Sequence, residues 1–222
     1  MRWKTPLAVL YCLLLMSSCS LTEPRCVKVE GHIHHMGRTV VQVSYYIDNH
    51  TLGYDTIYST ESGKFKFQIP GTNEINPITL FFPDSKSWTT IFARKGDIIQ
   101  INGEIEQVDL LTVNGGEVND DLTRFKQEIK LLYIERQQII EGKYQNGGQT
   151  IEVHLAEINL SLKRKAKEFI IDHPESVASV VLIQDFFYQD YDPNTMELLS
   201  LLEKEAKNSL LAQRLWQGVK EW

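Results

Sequence analysis

Residues 109–129 read DLLTVNGGEVNDDLTRFKQEI, and the hydrophobic period changes in the middle of them. Before Asn114 lies a short apolar run, Val108 to Val113, of strand length. Beyond Gly115 and Gly116, residues Val118, Leu122, Phe125, Ile129 and Leu132 recur at spacings of 4, 3, 4 and 3. Strand side chains repeat every second residue and helical ones about every 3.6, so these spacings place one face of a helix after a strand. The glycine pair has no lysine placed after it as a phosphate-binding loop requires. It reads as the hinge between a β region and a helical one, with Asn119 or Asp120 near the next helix start.

Upstream, the β period holds back to residue 26. Val27, Val29, Gly31 and Ile33 alternate with Lys28, Glu30, His32 and His34. Phe65, Phe67 and Ile69 share one face of the next clear strand, and Lys64, Lys66 and Gln68 the other. That is a strand with one wet face. Runs at 39–47, 54–60, 78–82, 88–93, 98–101 and 108–113 bring the total to some eight, with turns such as Asp48 to Gly53 between them. Many short strands of this kind make an antiparallel sandwich or barrel.

Downstream, Ile151, Leu155, Ile158, Leu162, Ala166 and Phe169 form a second helical stripe that ends at His173-Pro174. Ser176 is placed to cap a third helix through Val180, Val181, Phe186 and Phe187. Asp192-Pro193 opens a fourth helix, with Leu198, Leu199, Leu201 and Leu202. Leu210, Leu211, Leu215, Trp216 and Val219 make a fifth. The class is α+β: a β domain over 26–116, then about five helices over 117–222.

The first 26 residues hold all three cysteines, Cys12, Cys19 and Cys26. Arg2 and Lys4 precede an apolar run from Pro6 to Met16. The run is shorter than the ~20 residues that span a bilayer, but it has the length of a signal-peptide core. Met16-Ser17-Ser18-Cys19 then resembles a bacterial lipobox, in which the cysteine becomes the lipid-bearing first mature residue. This predicts a signal peptide over 1–18, lipidation of Cys19 with palmitate or a similar acyl chain, and a tether over 19–25. Cys26 is then the lone mature thiol, with no intramolecular disulfide partner, and reads as a small apolar residue at a strand start. No C-x-x-C occurs, so the chain itself cannot run dithiol–disulfide exchange.

Loss of residues 1–18 leaves 21 basic and 29 acidic side chains, a formal charge of −8. The charge is spread evenly, −4 on residues 19–117 and −4 on 118–222. This argues against a nucleic-acid partner and against a polybasic membrane patch. The expected membrane contact is the lipid on Cys19, facing the periplasm or cell surface, with an envelope protein as a further partner.

Three stretches carry a family resemblance. Val27 to Ile33 has the form V-x-V-x-G-x-I, Gly63 to Phe67 the form G-x-F-x-F, and FARKGDIIQINGEI at 92–105 leads on to VNGGEVNDDLTRF at 113–125. Together they resemble domain of unknown function 4369, an N-terminal β-sandwich of bacterial envelope lipoproteins. FIIDHPESVASVVLI at 169–183 is similar to the helical connector that often follows it. In many members a thioredoxin-fold domain of the TlpA/ResA type comes next, with a W-C-x-x-C motif that has no match here. The resemblance implies a sandwich and an envelope location, and transfers no catalytic or cofactor-binding residue. The expected function is that of a non-enzymatic, membrane-anchored binding or scaffolding module. The alternative is the front part of a thiol–disulfide oxidoreductase whose thioredoxin domain lies outside this chain.

The remaining candidates read mainly as structure. His32 and His34 share a strand face, with His35 on the other. They could start a zinc or copper site given a third ligand, but a polar strand face is the plainer reading. Asp97 in KGDIIQING reads as a turn residue. Lys163, Arg164, Lys165 and Lys167 read as the wet face of a helix, with Arg164 able to pair with Glu168. Phe186-Phe187-Tyr188 and the segment from Trp216 read as core or docking surface.

Overall fold

The structure, a computed structural model, describes residues 26–48, 50–143, 150–189 and 192–220. The lipobox, Cys19, the signal peptide and the tether lie outside these residues. Eight strands come first: β1 (Cys26–His34), β2 (Val40–Tyr46), β3 (Leu52–Tyr58), β4 (Lys64–Pro70), β5 (Asn76–Phe82), β6 (Ser87–Ala93), β7 (Ile98–Glu104) and β8 (Thr112–Asn114). A 3-10 segment, Ile105–Leu110, separates the last two. The strands form two four-stranded sheets, in the orders β4-β1-β7-β8 and β3-β2-β5-β6. Every pairing is antiparallel except that of β1 with β7. The two inner faces close on one apolar core, with Val29, Phe67 and Ile101 from one sheet and Val43, Leu80 and Ile91 from the other. The N-terminal half is thus a β-sandwich. Gly31 lies under the Phe65 ring, where any Cβ would collide with it.

The helical half has α1 (Glu117–Glu128), α2 (Lys130–Ile140), α3 (Ile151–Asp172), α4 (Val177–Ile183), α5 (Asn194–Leu201), α6 (Lys204–Asn208) and α7 (Leu210–Val219). A π-turn, Gln184–Tyr188, continues α4. The stripe from Val118 to Leu132 is therefore divided, because Ile129 leaves helical geometry at φ −100 and ψ 8. Ser176 caps α4 as expected, accepting from the Ala178 N–H. Asp192 caps the turn into α5 through its Oδ1, which accepts from Asn194 N at 2.9 Å.

The helices bury a second apolar core, and Phe92 of β6 belongs to it rather than to the sandwich core. They therefore pack on the outer face of the β5–β6 pair. Helix α1 makes the junction with two polar side chains one turn apart. Asn119 Oδ1 accepts from Phe92 N at 2.9 Å, and its Nδ2 donates to Phe92 O at 2.6 Å. Thr123 Oγ1 accepts from Val113 N at 3.0 Å and donates to Val113 O at 2.8 Å. Strands β6 and β8 each lie at an edge of their sheet. A sheet edge exposes unpaired N–H and C=O groups, and here one side chain supplies what a neighbouring strand would. The glycine pair is held rather than loose. Gly115 N donates to Asp120 Oδ1 at 3.0 Å, and Gly115 O accepts from Asn119 Nδ2 at 2.7 Å. Gly115 has φ 100, and a Cβ there would strike the Ile98 carbonyl, so the turn requires glycine.

Candidate functional site

Between the outer face of β5–β6 and the helices lies a cavity of about 380 Å³. Its floor is Pro77, Thr79, Thr90 and Phe92, with Trp88 beside them. The strand period puts these alternate residues on the face away from the sandwich core. The Thr79 and Thr90 hydroxyls stand 3.3 Å apart across the strand pair. The walls are Leu122, Phe125 and Lys126 of α1, Tyr133 of α2, Leu182 of α4, Asp185 and Phe186 of the π-turn, and Leu211 of α7. Asp109 closes one side from the 3-10 segment. The volume is in the range of sites for small molecules, and so is the mixture of aromatic walls with a few polar groups.

Three titratable groups in this cavity depart from their ordinary behaviour. Burial holds the Lys126 ammonium below the usual lysine range, against the pull of Asp109 and Asp185. Burial first, and then the negative charge of Asp109 and Asp185, pushes the Tyr133 phenol up to about 12. Burial raises the Asp185 carboxyl to about 6, opposed by Lys126. Asp185 is nonetheless an exposed residue, so the burial that raises its carboxyl is partial. The cavity thus gathers the Lys126 side chain, the Tyr133 phenol, two threonine hydroxyls and a carboxyl raised to about 6. Perturbed groups converging in one cavity make it the candidate functional site of this chain. The π-turn that carries Asp185 is a feature found often at such sites.

None of Lys126, Tyr133, Asp185 and Asp109 stands out in the sequence. The available signal was Asp185 itself, a charge inside the apolar run VVLIQDFFY at 180–188. Phe186, expected as core or docking surface, lines the cavity, while Phe187 is buried in the helical core. Asp97 is the turn residue expected, its Oδ2 accepting from Arg94 N at 2.9 Å. Cys26 opens β1, half-buried, with its thiol 3.6 Å from Gln68 Oε1. The basic run of α3 is less free than expected. Lys163 pairs with Asp192 at 3.2 Å, and Glu168 takes Lys165 at 2.9 Å rather than Arg164. His32 and His34 do share a face, with ring centroids 4.3 Å apart. His35, beyond the strand end, meets Glu104 and Glu106 instead.

Among the described residues no helix is long and apolar enough to cross a membrane. No protein-family model, curated protein or solved structure matches the chain.

Proposed function

We propose that this chain is a non-enzymatic envelope lipoprotein, anchored by lipid on Cys19, whose folded part is a binding module with its ligand in the β5–β6 cavity. The observation that carries the binding role is the convergence of Lys126, Tyr133 and Asp185 in a cavity of about 380 Å³ with aromatic walls. The ligand is a small amphipathic molecule. Its apolar body lies against Phe92, Phe125 and Phe186, and its polar head meets the Lys126 ammonium and the two threonine hydroxyls. The lipobox pattern at Met16 to Cys19 and the resemblance of residues 26–116 to an envelope-lipoprotein sandwich support the location.

Native mass spectrometry of the full chain purified from its membranes tests the binding role. A single small molecule should accompany the wild type and be missing from Thr90→Phe, which fills the floor. A wild type that carries nothing, or a Thr90→Phe variant that keeps the same molecule, would defeat it. The anchor has its own test. Cys19→Ala should leave the membrane fraction and lose labelled fatty acid, and unchanged fractionation without label in the wild type would defeat the lipoprotein reading.

A further inference from the structure

We propose that the open face of the β4-β1-β7-β8 sheet binds a carboxylated oligosaccharide, of uronic-acid type, in a groove that runs across its strands. The helices pack on the outer face of the other sheet, so this site is separate from the β5–β6 cavity. Here the outward side chains Lys28, Glu30, Lys64, Lys66, Gln100 and Asn102 are exposed. The register sets them in rows. Glu30 lies opposite Lys66 on one side and Gln100 on the other, and His32 lies opposite Lys64 and Asn102. These two rows line a groove of about 690 Å³. The turn from β3 into β4 closes one end of it. Thr60 N donates to Lys64 O at 2.8 Å, which brings Thr60 and Tyr58 up beside Lys64 and Lys66 as an end wall.

The polar groups of the groove are free to bind. Among the described residues, the side chains of Glu30, Lys64, Lys66, Gln100 and Asn102 enter no hydrogen bond or ion pair. Opposite charges that face each other across a ladder ordinarily pair. Glu30 and Lys66 face each other in this way and stay apart. Elsewhere on the surface Arg94 reaches Glu205 at 3.1 Å and Lys165 reaches Glu168 at 2.9 Å. The end wall adds exposed rings. Tyr58 is 68% exposed, and Tyr54, on the same face of β3, is 75% exposed. Open aromatic rings beside planar amides and a carboxylate match the two sides of a sugar. The C–H face of a pyranose stacks on a ring, while its hydroxyls exchange hydrogen bonds with the amide and carboxylate groups.

Charge narrows the sugar to an acidic one. The chain has a net charge of −6, yet this face sets Lys28, Lys64 and Lys66 against Glu30. The Glu104 carboxylate at its far end is held by His35 at 3.0 Å. A basic groove on an acidic protein attracts an anionic partner. With Glu30 in its middle the excess is small, which suits scattered carboxylates rather than a dense polyanion such as nucleic acid. An added peptide strand has no place there. Strands β1 and β7 are interior, with neighbours on both sides using their backbone groups, so recognition falls to the side chains.

Binding of the full chain in detergent to an array of uronic-acid oligosaccharides and their neutral methyl esters tests the site, with calorimetric titration of the retained sugars. The acids should be retained, the esters should bind about tenfold more weakly or less, and added salt should weaken the acids. Tyr58→Ala and Lys66→Gln should each weaken binding by about tenfold, the loss expected for one ring stack or one charge-assisted hydrogen bond. Both positions are exposed, so both variants should fold, which circular dichroism checks. Thr90→Phe, which fills the β5–β6 cavity, should bind the acids as the wild type does, so the two sites stand or fall separately. Absence of saturable binding, equal affinity for acid and ester, or unchanged affinity in both groove variants would each overturn the proposal. Should Tyr58→Ala fail to fold, Lys66→Gln alone decides.

Discussion

Strands β5 and β6 have two faces, and the two are built for different ends. The inner face carries Ile78, Leu80 and Ile91, all buried in the sandwich core. The outer face carries Pro77, Thr79, Trp88 and Thr90, and the helices that cover it leave a cavity. In a free-standing sandwich the outer face would meet water. Here it meets Lys126, Tyr133 and Asp185 across a gap that neither layer fills. The same two strands thus supply a dry seam and a ligand-sized space, separated by one step of the side-chain alternation. On the proposed binding role, stability and recognition are divided between the faces, so substitutions should affect them separately.

The strongest test of that division is on the inner face. Leu80 is fully buried. Leu80→Ala should destabilise the protein by about 3 kcal/mol through lost burial and the cavity left behind. Denaturant unfolding measures this. Retention of the bound molecule by the folded fraction is expected, and loss of binding without loss of stability would break the division.

The junction comes next. Asn119 is 2% exposed and makes three hydrogen bonds, two to Phe92 and one to Gly115. Asn119→Ala strands the Phe92 N–H and C=O away from water and should cost about 2–3 kcal/mol. Thr123 makes the matching pair of bonds to Val113 but is only part-buried, so water can replace it. Thr123→Val should cost about 1 kcal/mol or less. Equal costs for the two variants would show that the edge of β6 is no more sealed than that of β8.

On the outer face the order reverses. Lys126→Met removes a charge held against desolvation, so stability should stay level or rise slightly. Binding should be lost, read as absence of the accompanying molecule in native mass spectrometry. A variant that keeps its ligand would move the polar head of that molecule away from Lys126.

Much of this fold was legible because the period is local information. The alternation at Phe65, Phe67 and Ile69 and the stripe from Val118 read correctly from spacing alone. What spacing could not show was the break at Ile129, because that residue is buried in either geometry. Nor could it show α6, which opens at Lys204 with φ 43 directly after the Leu202 stripe. The candidate site was harder still. Its members run from Pro77 to Leu211 and meet only when the helices dock on the sheet. A lysine beside Phe125 reads as a helix surface until the neighbours that bury it are known. His35 was misread for a related reason. Alternation assigns it to a strand face, but the strand ends at His34 and the backbone turns at φ 60.

The smallest expected effect concerns Asp185, and it carries its own sign. Its carboxyl stands at about 6 in the folded protein against an ordinary 3.8. Between those values the folded state holds more of the proton than the unfolded chain does. Stability attributable to this group is therefore complete below pH 3.8 and declines as pH rises through about 6, above which the charged form prevails in both states. Because the group touches water at the cavity mouth, the decline should be shallow. Asp185→Asn abolishes the titration while keeping size and hydrogen-bonding capacity. The difference in melting temperature between wild type and variant, followed from pH 4 to pH 7, should shift in favour of the variant as pH rises. Binding should respond more visibly than stability, since a carboxyl close to its midpoint changes charge within the cavity itself. The wild-type affinity should bend near pH 6 and that of Asp185→Asn should not. A flat melting difference together with an unbent wild-type affinity would mean that Asp185 is solvated like a surface residue. The outer face would then hold a gap between layers and no recognition site.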